Sequence, residues 1–128
     1  GSIEDFSKAL IIDPQYALAY YNRGNAKDEL ENYKGAIDDY SKALEIDANH
    51  AIAYNNRGVA NRKSGDNRAA IADYNKALEI DSKLAVAYLN RGISKENDGN
   101  LTGACADWRE ASALGDEIAA KWVKESCR

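Results

Sequence analysis

The sequence predicts an all-α fold, a stack of antiparallel helix hairpins, on three observations. The stretch Ala17-Leu-Ala-Tyr-Tyr-Asn-Arg-Gly-Asn-Ala returns as Ala51-Ile-Ala-Tyr-Asn-Asn-Arg-Gly-Val-Ala and as Ala85-Val-Ala-Tyr-Leu-Asn-Arg-Gly-Ile-Ser, 34 residues apart each time. A fixed period of this length marks a repeat architecture built from one supersecondary unit. Each unit is divided near its middle, at Glu31-Asn32, Gly65-Asp66 and Gly99-Asn100. Glycine after one helix and Asn or Asp before the next act as stop and start residues, through left-handed backbone and side-chain capping. The apolar residues between these breaks recur three and four apart, the spacing of one helix face. A hairpin of two such helices cannot bury its apolar stripe alone, so neighbouring units must stack.

Taken in order, residues 1–16 open with Gly1-Ser2, which reads as an appended remnant. A helix from Ile3 to Ile12 follows, with Ile3, Phe6, Ala9 and Leu10 at helical spacings. Pro14 stops it. Phe6 shares its column with Tyr40, Tyr74 and Trp108, and Ala9 with Ala43, Ala77 and Ala111. This helix is therefore expected to be the second of a repeat whose first helix is missing. Complete units follow at 17–50, 51–84 and 85–118. Residues 119–128 are expected to form a capping helix, a degenerate first helix with Trp122 in the column of Tyr88 and Ser126 in that of Gly92.

Length and composition fit one soluble domain: 128 residues, 45% hydrophobic and 30% charged. The net charge of −4 argues against a nucleic-acid or anionic-membrane surface, which would want a basic face. No apolar run approaches the ~20 residues that span a bilayer, so no membrane insertion is expected.

The columns resemble the tetratricopeptide repeat. That family places an aromatic early in the first helix, then a small residue, then Ala, an aromatic and Ala in the second. Here these are Tyr20/Tyr54/Tyr88, Gly24/Gly58/Gly92, Ala36/Ala70/Ala104, Tyr40/Tyr74/Trp108 and Ala43/Ala77/Ala111. The departures are small. Ala48 and Ser82 stand where Pro14 stands in the first unit, and arginine replaces leucine before each glycine. The resemblance implies a right-handed α-α superhelix whose first helices line a concave groove for peptide ligands.

Arg23, Arg57 and Arg91 repeat at the period, as do Asp5, Asp39, Asp73 and Asp107. A guanidinium facing a carboxylate makes a directional, bidentate bond, so these predict a structural ladder. Pairing within each unit is expected, which leaves Asp5 without an arginine; the alternative of pairing between units would set Asp107 against Glu125.

For catalysis the residues offer little. His50, the single histidine, lies in an inter-repeat turn without a cluster of ligating side chains, and Asp38 and Asp39 point apart on a helix. No enzyme activity, cofactor or metal is expected. Cys105 and Cys127 lie on either side of Gly115, and a hairpin there would bring them near each other. A disulfide and a reduced core thiol both remain open, since Cys105 shares its column with Ile3, Ile37 and Ile71.

On the groove side, the resemblance implies that Asn22, Asn56 and Asn90 face inward as a row of amides able to hold a peptide backbone. Around them Leu18, Tyr21, Asn25, Ile52, Asn55, Val59, Arg62, Val86, Leu89 and Ile93 are expected to line the surface. Asp28 and Glu29, then Arg62 and Lys63, then Glu96 vary the charge along the stack, which favours a mixed-charge ligand. Some members of the family grip a C-terminal carboxylate with a Lys/Asn/Arg clamp. Asn25 and Asn56 match its asparagines, but Tyr21, Val86 and Asn90 replace its three cations, so that clamp is not expected.

The function expected is a non-catalytic scaffold that binds a peptide or helical segment of a partner protein. A structural or self-association spacer, and a recruiting arm of a larger enzyme, are the alternatives. A homo-oligomer through the edge of the first helix is a further expectation. Cellular compartment is not legible.

Overall fold

The computed structural model describes residues 2–127; Gly1, half of the pair read as a remnant, and Arg128, the last residue of the capping segment, lie outside them. Among the described residues there are eight helices and no strand: α1 Ser2–Ile12, α2 Ala17–Glu29, α3 Tyr33–Ile46, α4 Ala51–Lys63, α5 Asn67–Ile80, α6 Ala85–Asn97, α7 Leu101–Ala113 and α8 Glu117–Ser126.

Local chemistry sets the helix ends. The side chains of Asn32, Asp66, Asn100 and Asp116 each accept from the backbone N–H three residues on, at 2.9–3.0 Å. This satisfies one of the amides a helix start leaves unpaired. His50 does the same for α4 through Nδ1, accepting from the Ala53 N–H at 3.1 Å. At the preceding ends, Gly65, Gly99 and Gly115 adopt φ of 99°, 83° and 102°, and the first unit places Glu31 in that conformation at 61°. The residue after each donates its N–H to a carbonyl five back, as Asn32 does to Lys27 and Asp66 to Asn61. That bond closes the helix with a left-handed residue.

α2 packs on α3, α4 on α5 and α6 on α7 as antiparallel hairpins, and each second helix packs against the first helix of the next unit. The close approach depends on glycine. A Cβ at Gly24 would lie 2.8 Å from the Tyr40 ring, and one at Gly58 2.6 Å from the Tyr74 ring; Gly92 stands against the Trp108 indole in the same way. These three rings are almost wholly buried, as are Ala36, Ala43, Ala70, Ala77, Ala104 and Ala111 beside them. The result is the all-α superhelix of stacked hairpins that the period predicts.

The turn into α8 departs from the earlier ones. Asp47 and Asp81 end α3 and α5 in extended backbone, whereas the corresponding position after α7 is Gly115 in left-handed backbone. α8 therefore starts at Glu117, two residues ahead of the period. Trp122 meets Trp108 edge to face at 5.2 Å between ring centroids, and Ala119 is fully buried. A disulfide joins Cys105 to Cys127 with Cα atoms 5.7 Å apart, which ties the end of α8 to α7.

Candidate functional site

The arginines form repeated rungs within the units. Arg23 donates from Nε and Nη2 to the two carboxylate oxygens of Asp39, at 2.8 and 2.7 Å. Arg57 does so to Asp73 at 3.0 and 2.7 Å, and Arg91 to Asp107 at 2.9 and 2.7 Å. The third donor, Nη1, reaches back to the preceding unit, to Ser7, Ser41 and Asn75. Each guanidinium also lies 5.4–5.6 Å from the centroid of Tyr20, Tyr54 or Tyr88, a cation–π distance. One arginine thus joins three helices. Hydrogen bonding to Asp39 raises the Arg23 pKa; for Arg57 burial acts downward, but the bond to Asp73 and its charge outweigh it. Asp5 is exposed on α1. Sequence reasoning missed the flanking partners: Lys27 and Lys95 at 3.0 Å from Asp39 and Asp107, and Asn61 at 2.9 Å from Asp73. Their columns, like that of Ser7, Ser41 and Asn75, repeat at the period and were available as a signal.

The amides on α2, α4 and α6 behave differently. Asn56 donates to the Tyr21 hydroxyl at 3.1 Å and to Asn25 Oδ1 at 3.2 Å, and Tyr40 donates to the same Asn25 oxygen at 2.6 Å. Burial, reinforced by Asp28, Tyr21, Glu29 and Asp39, pushes the Tyr40 phenol far above its ordinary pKa, so it remains a donor. Asn90 donates to Asn55 at 3.1 Å, and Asn55 to Asn56 at 3.3 Å. The expected row of inward-facing asparagines needs correction here. Asn90 is 8% exposed and Asn55 4%; they face each other across the α4–α6 interface, where separate burial would leave amide groups unpaired. Leu89, also expected in the groove, is 8% exposed and packs with Trp108 and Ala119 in the C-terminal core. Asn22 is half-buried and makes no side-chain hydrogen bond among the described residues.

What stays open on this face is apolar at one edge and polar further along. Leu18, Ile52 and Val86 hold the same position in three units and are 49%, 47% and 38% exposed. Val59, Arg62 and Ile93 are half-buried. Between α2, α3 and α4 lies a hollow of about 230 Å³ lined by Asn25, Asp28, Glu29, Tyr40, Asn56 and Val59. Tyr40 lines it with its hydroxyl bonded to Asn25, a role the sequence does not show, since it gives the ring's column but not its depth. Among the described residues no group of His, Cys, Asp or Glu is placed to hold a metal, and no helix is long and apolar enough to cross a membrane.

The family model of the tetratricopeptide repeat matches residues 17–50 and 51–84. The chain belongs to the tetratricopeptide-repeat family. The fold is similar to that in the crystal structure of MamA, with a TM-score of 0.84 and 27% identity over 92% of this chain and 69% of that one. It is also similar to the Arabidopsis OM64 TPR domain, at 0.81 and 26% over 98% of each chain. The first TPR of Spaghetti (RPAP3) bound to the HSP90 peptide SRMEEVD matches at 0.82 and 25%, over 88% of this chain and 91% of that one. Comparison with curated proteins finds no match.

Proposed function

We propose that this tetratricopeptide-repeat domain is a non-catalytic scaffold that holds a peptide segment of a partner protein along the groove of α2, α4 and α6. The observation that carries this reading is the exposed row Leu18, Ile52 and Val86, one apolar side chain per unit, beside the hollow floored by Asn25, Tyr40 and Asn56. Surface apolar residues aligned in a concavity mark contact surfaces more often than scattered ones do. The peptide-bound Spaghetti domain supports a peptide as the ligand class. The acidic end of that peptide is a poor model for this chain's ligand, because Tyr21, Val86 and Asn90 supply no cation and Asp28 and Glu29 would repel it.

The test is a phage-displayed random peptide library selected on the immobilised domain, with enriched peptides then measured by fluorescence anisotropy. Ile52→Asp should weaken them at least tenfold while leaving the circular dichroism unchanged. Undiminished binding would place the peptide elsewhere and end this reading.

A second reading, self-association through α1, is favoured by Ile11 and Ile12, which are 80% and 86% exposed. Sedimentation should then show a concentration-dependent dimer that Ile12→Glu abolishes; a monomer throughout rejects it.

A further inference from the structure

We propose that the groove selects an extended segment carrying a basic, an acidic and a basic side chain in succession, about three residues apart. The inference rests on the groove reading above and names the ligand's charge order. One position of the first helix, repeated at the period, carries Asp28 on α2, Arg62 on α4 and Glu96 on α6. The sign alternates while the place in the fold is kept. Packed helices lie roughly 8–10 Å apart, and an extended chain of polyproline-II geometry advances about 3.1 Å per residue with three residues per turn, so each unit spans about three ligand residues and side chains at that interval share one face.

The two acidic places are hollows, and the middle one carries a guanidinium without an ion pair among the described residues. Asp28 lines the first hollow with Glu29, and its Oδ1 is buried without a hydrogen-bond partner. Glu96 lines a corresponding hollow of about 220 Å³ with Glu125, Trp108 and Trp122. The middle place is cationic. Arg62 forms no ion pair among the described residues, and its Nε is buried and unpartnered. Beneath it the Tyr74 hydroxyl, on a wholly buried residue, interacts with Arg62 and with the equally buried Ser94. Burial raises the Tyr74 pKa, and hydrogen bonding to Arg62, the charge of Arg62 and hydrogen bonding to Ser94 partly oppose this. A guanidinium without an ion pair is the group a carboxylate pairs with, and Arg62 is half-buried with part of its side chain open. Contrast the first unit, where the Tyr40 hydroxyl is already satisfied by Asn25; at the matching position Val59 offers the Tyr74 hydroxyl no acceptor. A cation without an ion pair therefore stands between two acidic hollows. An internal segment fits this order, since the chain must continue past the central carboxylate into the second acidic hollow.

The library selection above supplies the test. Groove-dependent peptides, those lost on Ile52→Asp, should be enriched in Lys or Arg, Asp or Glu, then Lys or Arg, at intervals of three. A fluorescein-labelled peptide of that order should bind at least tenfold more tightly than its charge-reversed counterpart on the unaltered domain. Arg62→Glu should weaken the first peptide at least tenfold and favour one with lysine at the centre. Groove-dependent peptides without this order, or indifferent to the charge reversal, overturn the inference and leave the groove reading standing. A selection that yields no groove-dependent peptide overturns both. The comparison of peptides on the unaltered domain decides the matter even where Arg62→Glu disturbs folding.

Discussion

Arg57 holds Asp73 through two hydrogen bonds, and the same geometry recurs as Arg23–Asp39 and Arg91–Asp107. The amides a few residues away keep a register but change its chemistry: Asn56 donates to the Tyr21 phenol and Asn90 to the Asn55 amide, both 35 residues back, Asn56 alone also reaches Asn25, and Asn22 turns to none of the described residues. The difference teaches where a repeat protein keeps its individuality. A contact whose two partners are the same in every unit recurs in every unit, so the ladder fixes the packing shared by all three. The columns of Tyr21, Asn55 and Leu89 and of Asn25, Val59 and Ile93 change residue from unit to unit, so the Asn25–Asn56 and Asn55–Asn90 pairs each exist once. A site that exists once can be specific.

The largest effect should come from breaking a rung. Asp73→Ala removes the acceptor of Arg57 and Asn61 and leaves a half-buried guanidinium unpaired, which costs about 3 kcal/mol; urea unfolding would read it. The Arg57→Met/Asp73→Leu double variant sharpens the point. Replacing a pair by apolar groups restores much of the loss, so at least half should return, whereas additive losses would show that the rung contributes more than charge compensation.

Within the network, Asn55→Ala strands the Asn90 amide in a buried interface and should cost about 1–2 kcal/mol. A matching loss from Asn22→Ala would erase the contrast, since Asn22 makes no such bond; that variant should stay within about 0.5 kcal/mol of the parent. Reducing the Cys105–Cys127 disulfide adds a control outside both systems. It opens a loop closed over 22 residues, worth about 3 kcal/mol in the chain-entropy view. Because α8 packs on α7 at one end of the stack, hydrogen exchange should rise there and leave the α2–α3 amides unchanged.

Much of the fold was legible because its signals are local or periodic. Caps at Asn32, Asp66 and Asn100 act within three residues, and glycine facing an aromatic ring repeats in every unit. The left-handed Glu31 was less visible, for its column holds glycine in the other units. Groove residues were legible as a face but not one by one. Leu18, Ile52 and Val86 stand open, while Leu89, Asn55 and Asn90, drawn from the same helix faces, are covered by α4 and α6 and by the C-terminal core.

From the sequence alone come the period, the hairpins, the arginine and aspartate columns and the alternating charge of Asp28, Arg62 and Glu96, because each depends on residues whose spacing can be counted. Only the tertiary structure decided which amides are covered, that Arg62 is left without an ion pair among the described residues, and that Cys105 meets Cys127. Those outcomes depend on which side chain crosses from a neighbouring helix, in columns whose residue changes from unit to unit.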